Sequence, residues 1–531
     1  MAIYTQNVNK GEHYDMDGRI LHNFILNNCN MATSITLEDN DVPTITNLSN
    51  MFTNESTSAY YYCLSKLTNV TFDNFNTSLA TTTDNMFRCC IRLTNISNFD
   101  THNTQNVSNM FSQCFELTDI PNFNTSKVIN MDSMCYQCSN LTSIPNFNVS
   151  NVISMYNTFA QCISLTDIPN LNTCNVRTMS RTFADCRNLV NAPEFNTSNV
   201  TSMENMFVDC YNLTNIPNYD TSNVKFMNNM FYRCNNLTTV PNFNISNVQY
   251  MCNTFVDSGI NVFTLNLDMS NVKCLTYFYA NSDCITNISN NDLISRINAF
   301  KLEDITGIFS NCHNLTTVSN LDTSNIINMT RMFADCINLV SVYNLDTSNT
   351  TTMFGMFTGC SNLISVPNFN TSKVRTVGGM FSGCVKLSSV PNFDISNTTQ
   401  SSMMFQNCYN LTSVPNFNTS KVNMISGMFA NCINLVDVPQ FNTSKVDGMS
   451  NMFTHCNNLS NASIQNIINM CLNSTSIKAD YKTLHTDNWK SPLCNTKFNA
   501  MYYANRQDEL TAAGWSFEPY TVTDNSGEIE L

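Results

Sequence analysis

Cysteine and histidine are the residues of this sequence with the most chemistry open to them, because both bind metals and cysteine also exchanges disulfides. The nearest approaches to a metal or redox motif are the pair Cys89-Cys90 and the spacing Cys135-x-x-Cys138. The histidines are scattered without ligand spacing, at His13, His22, His102, His313, His455 and His485. Cys135 and Cys138 fall on positions that recur along the chain as apolar core. The pattern therefore favours packing over metal binding or redox use.

Catalytic signatures of other kinds are missing from the sequence. It contains no glycine-rich phosphate loop and no Gly-x-Ser-x-Gly elbow. Acidic residues such as Asp119, Asp167 and Asp437 stand singly at predicted strand edges. A solvated carboxylate is more usual there than a paired acid and base. We therefore predict that the protein is not an enzyme, has no metal site and needs no cofactor.

A repeat of 24 residues positions these side chains. In the segment Thr197–Tyr219 a Met-Phe pair ending at Phe207 is followed three residues later by Cys210, and a shift of 24 residues in either direction reproduces the pattern. A fixed period of this length is the signature of a solenoid, in which each coil packs against the next. The recurring Phe and Cys are predicted core, represented by Phe111, Cys114, Phe207, Cys210, Phe231, Cys234, Phe333, Cys336, Phe381, Cys384, Phe429 and Cys432.

Two elements are predicted within each coil. Val200, Met203 and Phe207 lie on one helical stripe, so we expect a helix of about ten residues with Thr197 or Ser198 as its N-cap. Ile216 precedes a proline, which favours an extended strand of about three or four residues. Glycine is scarce, at 13 of 531 residues. Asparagine, which bonds its own backbone, is therefore expected to form the turns.

The fold class follows from these two elements. Parallel strands stack about 4.8 Å apart, whereas packed helices need about 8–10 Å. The mismatch predicts a curved α/β repeat solenoid, a leucine-rich-repeat-like right-handed stack of coils with short parallel strands on the concave side and short helices on the convex side.

The 24 cysteines indicate either a disulfide framework or buried thiols. Most occupy one place in each coil, at the inner end of the predicted helix. Neighbouring helices are too far apart for a disulfide, which needs Cα atoms within about 7 Å. Free cysteine is also among the residues most often buried. We therefore favour reduced core thiols.

The repeat divides the chain into three predicted parts. Residues 1–50 form an N-terminal cap or an attachment segment, in which 20–26 is a short helix or strand. Residues 51–460 form the solenoid, with an insertion near 280–301. Residues 461–531 form a C-terminal cap or an assembly domain, and begin with an amphipathic helix. Terminal repeats of solenoids are usually atypical because they cover an exposed core.

Beside the predicted strands runs a regular array of polar residues, which is our candidate binding surface. A curved platform rich in hydroxyl groups suits a glycan or a host surface protein. The same pattern is also expected of any solvent-exposed sheet face, so both interpretations stay open. The candidate residues are Thr142, Ser143, Thr166, Asp167, Thr214, Asn215, Thr238, Thr239, Thr316, Thr317, Ser388, Ser389, Thr412 and Ser413.

Composition excludes some partners. Net charge is −14, which argues against nucleic acid or an anionic membrane as the main partner. The N-terminus lacks a basic start followed by an apolar run, and no apolar stretch is long enough to span a bilayer. We expect no membrane insertion, and a chain that stays where it is made unless it joins a particle or is exported by another route.

The repeat resembles the BspA-like leucine-rich repeats, the bacterial surface protein type. The likeness rests on Asn-Leu-Thr-x-Ile/Val-Pro-Asn-Phe-Asn-Thr-Ser-Asn/Lys-Val-x-x-Met-x-x-Met-Phe-x-x-Cys, which recurs over about residues 85–460. Such repeats resemble those of bacterial adhesins and occur in phage and protist proteins, so the resemblance implies binding rather than catalysis.

The missing signal peptide separates the chain from secreted adhesins and makes a bacteriophage virion our leading setting. There the protein would recognise a host surface glycan or protein, and its non-repeat ends would dock to other virion subunits. The alternatives are a structural spacer of the virion, a bacterial cell-surface adhesin, or an intracellular protein-interaction module in the cytoplasm.

Overall fold

The structure is a computed structural model that consists of two compact units, Met1–Val272 and Lys273–Leu531. Each unit is described by itself. Most of the insertion predicted near 280–301 and much of the C-terminal segment lie outside the described residues. The structure describes residues 5–9, 19–38, 45–53, 64–73, 75–260, 271–283, 285–288, 305–319, 321, 323–449, 451–474, 483–484, 507–512, 516–517, 521–524 and 527–530.

The first unit opens with a parallel four-stranded sheet in the order β1-β2-β3-β4. Its strands are β1 (Thr5–Asn9), β2 (Ser34–Glu38), β3 (Asn69–Asp73) and β4 (Asn95–Ile96). Helix α1 (Arg19–Asn28) connects β1 to β2 and covers the segment for which the sequence leaves helix and strand open.

The predicted helix of the repeat is wrong: in the described coils a ladder of turns takes its place. In the coil that contains Phe207, the N–H of Asn205 donates to the carbonyl of Asn228 in the next coil, at 2.8 Å. The N–H of Met206 instead bonds within its own turn, to the carbonyl of Met203 at 3.2 Å. This alternation requires left-handed backbone at Asn205, where φ is 56°. A residue with positive φ ends helical geometry, so the apolar stripe is built from turns.

Because these turns bond from coil to coil, neighbouring coils are joined by backbone hydrogen bonds on this side as well as on the strand side. The rings of Phe183 and Phe207 stack with centroids 5.7 Å apart, and those of Phe207 and Phe231 at 6.0 Å. These distances are shorter than the about 8–10 Å of packed helices, so the helix spacing from which curvature is predicted is absent from these coils. Thr197 also does not cap a helix. Its hydroxyl donates to the carbonyl of Asp220 in the next coil at 2.9 Å.

The predicted strand of three or four residues does not form in the described coils that carry the proline. Strands form where another residue replaces the proline, as Ser319 and Tyr343 do: β5 (Asn287–Ile288), β6 (Thr317–Ser319) and β7 (Ser341–Tyr343), paired in parallel. Where proline is present, only single bridges form, as between Asn191 and Asn215. A second parallel ladder of single bridges runs through the residue before the first methionine of the coil, for example Ser202 to Phe226.

The predicted core is confirmed, since the Phe and Cys columns are almost fully buried. The column cysteines are free thiols, as predicted. Each thiol donates to the carbonyl of the aromatic or equivalent residue in the preceding coil, for example Cys210 Sγ to Phe183 at 3.1 Å. Outside this column, Cys252 and Cys274 are not free thiols, since each is in the disulfide form. The prediction of reduced thiols therefore holds for the column and not for every cysteine.

The second unit continues the coils and ends with α2 (Asn461–Asn473), which follows the last of them. Ser460 caps this helix by accepting from the N–H of Ser463 at 3.2 Å. The hydroxyl of Ser463 donates to the carbonyl of Val436 at 2.9 Å and accepts from the N–H of Val438 at 2.8 Å. The helix thus takes the place of a further coil on this ladder.

The later elements are β8 (Thr483–Leu484), α3 (Gln507–Ala512), β9 (Ser516–Phe517), β10 (Thr521–Asp524) and β11 (Gly527–Glu530). In the described part of the chain, no helix is long and apolar enough to cross a membrane.

Candidate binding surface

The polar strip consists of the two residues that lie between the buried leucine and the buried Ile or Val of a coil. In one coil these are Thr214 and Asn215, both exposed, between buried Leu213 and Ile216. Asn191 and Asn215 form a parallel bridge, so the strip passes from coil to coil with the ladder.

The two positions of the strip differ in what their side chains do. At the first position, Thr214 donates its hydroxyl to the carbonyl of Val190 in the preceding coil at 3.2 Å, and Thr316 donates to that of Thr286 at 2.9 Å. These hydroxyls therefore hold the ladder together as well as facing solvent. The second position is freer to contact a partner. It is occupied by Ser143, Asp167, Asn215, Thr239, Thr317, Ser389 and Ser413.

Every predicted strip residue is exposed except Thr317, which is half-buried. Its hydroxyl donates to Asn287 Oδ1 at 3.1 Å. The candidate residues form two strips, one in each unit. The first runs from Thr142 to Thr239 in the first unit, and the second from Thr316 to Ser413 in the second.

The titratable groups form no catalytic constellation in the described residues. His102 Nδ1 lies 2.7 Å from Asp100 Oδ1 and both side chains are exposed, as is the pair of His313 and Asp283 at 3.2 Å. Cys135 and Cys138 are fully buried, as expected of core. Among the described residues, no group of three or more His, Cys, Asp or Glu side chains could hold a metal ion.

Burial governs the acidity of the column thiols. It raises the pKa of Cys432 from 9.0 to about 12, and it raises the pKa of Cys186 and Cys210 strongly as well. A thiol in apolar surroundings stays protonated and unreactive at neutral pH. These cysteines therefore serve packing and the hydrogen bond to the preceding coil.

The profile of one protein family, described as "Mycoplasma protein of unknown function, DUF285", matches the chain several times over. The matches cover residues 22–142, 115–213, 155–269, 276–390, 303–413 and 385–489, which together make up most of the sequence. The chain belongs to this family. Its repeats are DUF285 coils; the first match begins within α1, and the last ends beyond α2. No curated protein matches the chain.

Solved structures of similar architecture are leucine-rich-repeat proteins. A leucine-rich cell surface protein from Faecalibacterium prausnitzii A2-165 is 18% identical, over 73% of this chain and 88% of that one, with a TM-score of 0.34. A leucine-rich repeat protein from Eubacterium ventriosum ATCC 27560 is 14% identical, over 77% of this chain and 84% of that one, with a TM-score of 0.19. At these TM-scores the overlap adds nothing to the solenoid that the chain's own hydrogen bonds define.

The DUF285 coils of the first unit also contain a groove that the sequence-based reasoning missed. It has a volume of about 620 Å³, and we call it the amide groove. Its signal in the sequence is the residue before the column valine, which is asparagine in six successive coils, from Asn151 to Asn271, instead of alternating with lysine. The groove is lined by Asn151, Asn175, Asn199 and Asn223 and by Ile153, Arg177, Thr201 and Lys225.

Proposed function

We propose that this chain is a non-enzymatic binding protein that holds an extended partner, a surface glycan or a protein, along the polar strip. A contrast within the repeat supports this function. The buried columns keep the same residue types from coil to coil, whereas the second strip position changes among Asp167, Asn215 and Thr239. A frame with a constant core and a variable polar surface allows each coil to be fitted to a partner.

We place this binding on a bacterial cell rather than on a virion. The family that covers most of the chain is described from Mycoplasma, and neither solved structure named above is a phage protein. Neither the family nor these structures support the virion setting expected from the sequence, and a bacterial cell-surface adhesin becomes the preferred hypothesis. We also propose that the coils are related to the BspA-like repeats, because both share the motif that runs from Asn-Leu-Thr to Met-Phe-x-x-Cys.

Retention of the full chain on bacterial envelope fractions tests the binding function. The variant Asn215→Arg/Thr239→Arg places two bulky cations on adjacent coils of the strip, and we expect about tenfold weaker retention because the mutated positions lose their fit to the partner. The control Asn212→Arg/Asn236→Arg adds the same charge to exposed residues of the same coils off the strip, and should bind as the wild type does.

Three outcomes would count against this function. One is the absence of wild-type retention by any fraction, and another is an equal loss in both variants. The third is retention that survives both the strip variant and the removal of four whole coils, which would indicate a spacer that binds through its ends. Labelling of intact cells with an antibody to the chain tests the surface setting, which fails if only lysed cells are labelled.

A further inference from the structure

The asparagine side chains of the amide groove are held in place but keep hydrogen-bonding capacity. Asn151 Nδ2 donates to the carbonyl of Ser126 at 2.7 Å, and Asn199 Nδ2 donates to that of Cys174 at the same distance. Asn175 and Asn223 make the equivalent bonds. A carboxamide has a second N–H and two acceptor lone pairs on its oxygen. Among the described residues nothing donates to these oxygens, so a row of oriented amides faces the groove.

The lining of the groove also carries positive charge. Arg177 and Lys225 are both exposed, and neither pairs with a carboxylate in the described part of the chain. They lie two coils apart, about 10 Å at a strand-like spacing. No carboxylate lines the groove, although the chain has 39 acidic residues against 25 basic ones. In so acidic a protein, a lining of two cations and no anion indicates selection for a negatively charged ligand.

Other coils of the same chain show what closes such a groove. In the second unit, Lys373 Nζ donates to Asn349 Oδ1 at 2.7 Å, and Lys421 Nζ donates to Asn397 Oδ1 at 2.6 Å. Lysine there occupies the column and uses the amide oxygen. This lysine is absent from the four asparagine positions that line the groove, which keeps both the space and the acceptors available.

We propose that the amide groove binds a linear polysaccharide that carries a carboxylate on alternate sugars. The carboxylates pair with Arg177 and Lys225, because charge-assisted hydrogen bonds are the strongest ones available to exposed cations. The sugar hydroxyls between them exchange hydrogen bonds with the amide row. No aromatic side chain lines the groove, so the bases of a single-stranded nucleic acid would find nothing to stack on. This site goes beyond the polar strip and does not depend on it, since the two use different residue columns.

Binding of hyaluronan, which has one carboxylate per disaccharide, tests this site by isothermal titration calorimetry. Removing both cations with Arg177→Gln/Lys225→Gln should weaken binding about tenfold. The control Arg375→Gln/Lys386→Gln removes the same charge from exposed residues of the second unit, and its affinity should equal that of the wild type. Neutral dextran should not bind, and added salt should weaken binding of hyaluronan.

A second variant separates fit from charge. Asn199→Lys reproduces the arrangement of Lys373 and Asn349, so it fills the groove and uses the Asn175 oxygen while it adds a positive charge. Simple attraction predicts tighter binding of hyaluronan, whereas the amide groove predicts binding weaker by about tenfold because contacts to the amide row are lost. Equal unfolding midpoints would show that all variants are folded.

The proposal is overturned if wild-type protein does not bind hyaluronan, if the two charge-removal variants weaken binding equally, or if Asn199→Lys binds more tightly. Tighter binding of oligothymidine than of hyaluronan would also overturn it, in favour of a nucleic acid. The variant Asn215→Arg/Thr239→Arg should keep its affinity for hyaluronan. Failure of the amide groove and failure of the polar strip are therefore distinguishable.

Discussion

At the scale of single residues, the side chains that the sequence marks most clearly are those of the core. Phe207 and Cys210 were predicted to be buried because they are apolar and strictly periodic, and both are fully buried. Thr197 was misassigned because hydroxyl donors to the next coil and helix caps have the same residue type and precede the same apolar stripe. Only the position of Asp220 in the neighbouring coil distinguishes the two roles, and a single coil of sequence does not contain it.

The buried thiols predict a loss of stability in alkali. Burial raises the pKa of Cys432 and Cys471 from 9.0 to about 12, so the folded chain keeps protons that the unfolded chain releases. This stabilisation is complete below pH 9 and is lost as the pH rises toward about 12. Each such thiol should lower the free energy of unfolding by about 1.4 kcal/mol per pH unit in that range.

Urea unfolding between pH 8 and pH 11 measures this effect. In the variant Cys432→Ser the free energy of unfolding should fall less steeply with pH, by the contribution of one thiol, because a serine hydroxyl does not titrate in this pH range. Serine already occupies the same column at Ser258 and Ser282, so the coil accepts it. Equal pH dependence of wild type and variant, or alkylation of the column by iodoacetamide in the folded protein at pH 8, would contradict the buried-thiol account.

At the scale of elements, short parallel strands were predicted correctly in kind but not in place, and the helix was not predicted correctly. Among the described coils, strands form only where the proline is replaced, because proline reduces the ladder to single bridges. The apolar stripe from Val200 to Cys210 fits helical spacing, but a turn closed by bonds between residues three apart places side chains on one face at nearly the same spacing. The polar residues between the apolar ones carried the missing signal. Asn205 and Asp209, four residues apart, both adopt positive φ.

A turn ladder and a helix predict opposite orders of stability for the glycine and alanine variants at Asn205. Both Asn205→Gly and Asn205→Ala remove the bond from Asn229 Nδ2, but only glycine accepts a φ of 56° without strain. Glycine should therefore be more stable than alanine by about 1 kcal/mol, as its natural use at Gly355 and Gly379 suggests. In a helix interior alanine would instead be favoured by about 1 kcal/mol. Chemical unfolding of the two variants decides between them.

At the scale of the whole molecule, the period predicts stacking but not where the stack is divided. The boundary between the units, at Val272 and Lys273, falls between Ser258 and Ser282, the places where the column cysteine is lost. The step from Tyr279 to Phe309 is also longer than a coil. The amide groove escaped prediction because it depends on residues that lie 24 apart and become neighbours only when the coils are stacked.

In a solenoid, stability comes from contacts between neighbouring coils, so a whole coil is the unit that can be removed. Deleting residues 173–196 of the first unit takes out one full period and rejoins each ladder and each Phe and Cys column in register. Deleting residues 185–196 takes out half a coil and places apolar columns against polar ones.

Thermal unfolding followed by circular dichroism tests this central claim most directly. The full-coil deletion should keep the wild-type spectrum and a cooperative transition, while the half-coil deletion should lose both. Unfolding of the full-coil deletion, or equal behaviour of the two, would contradict a stack of interchangeable 24-residue coils.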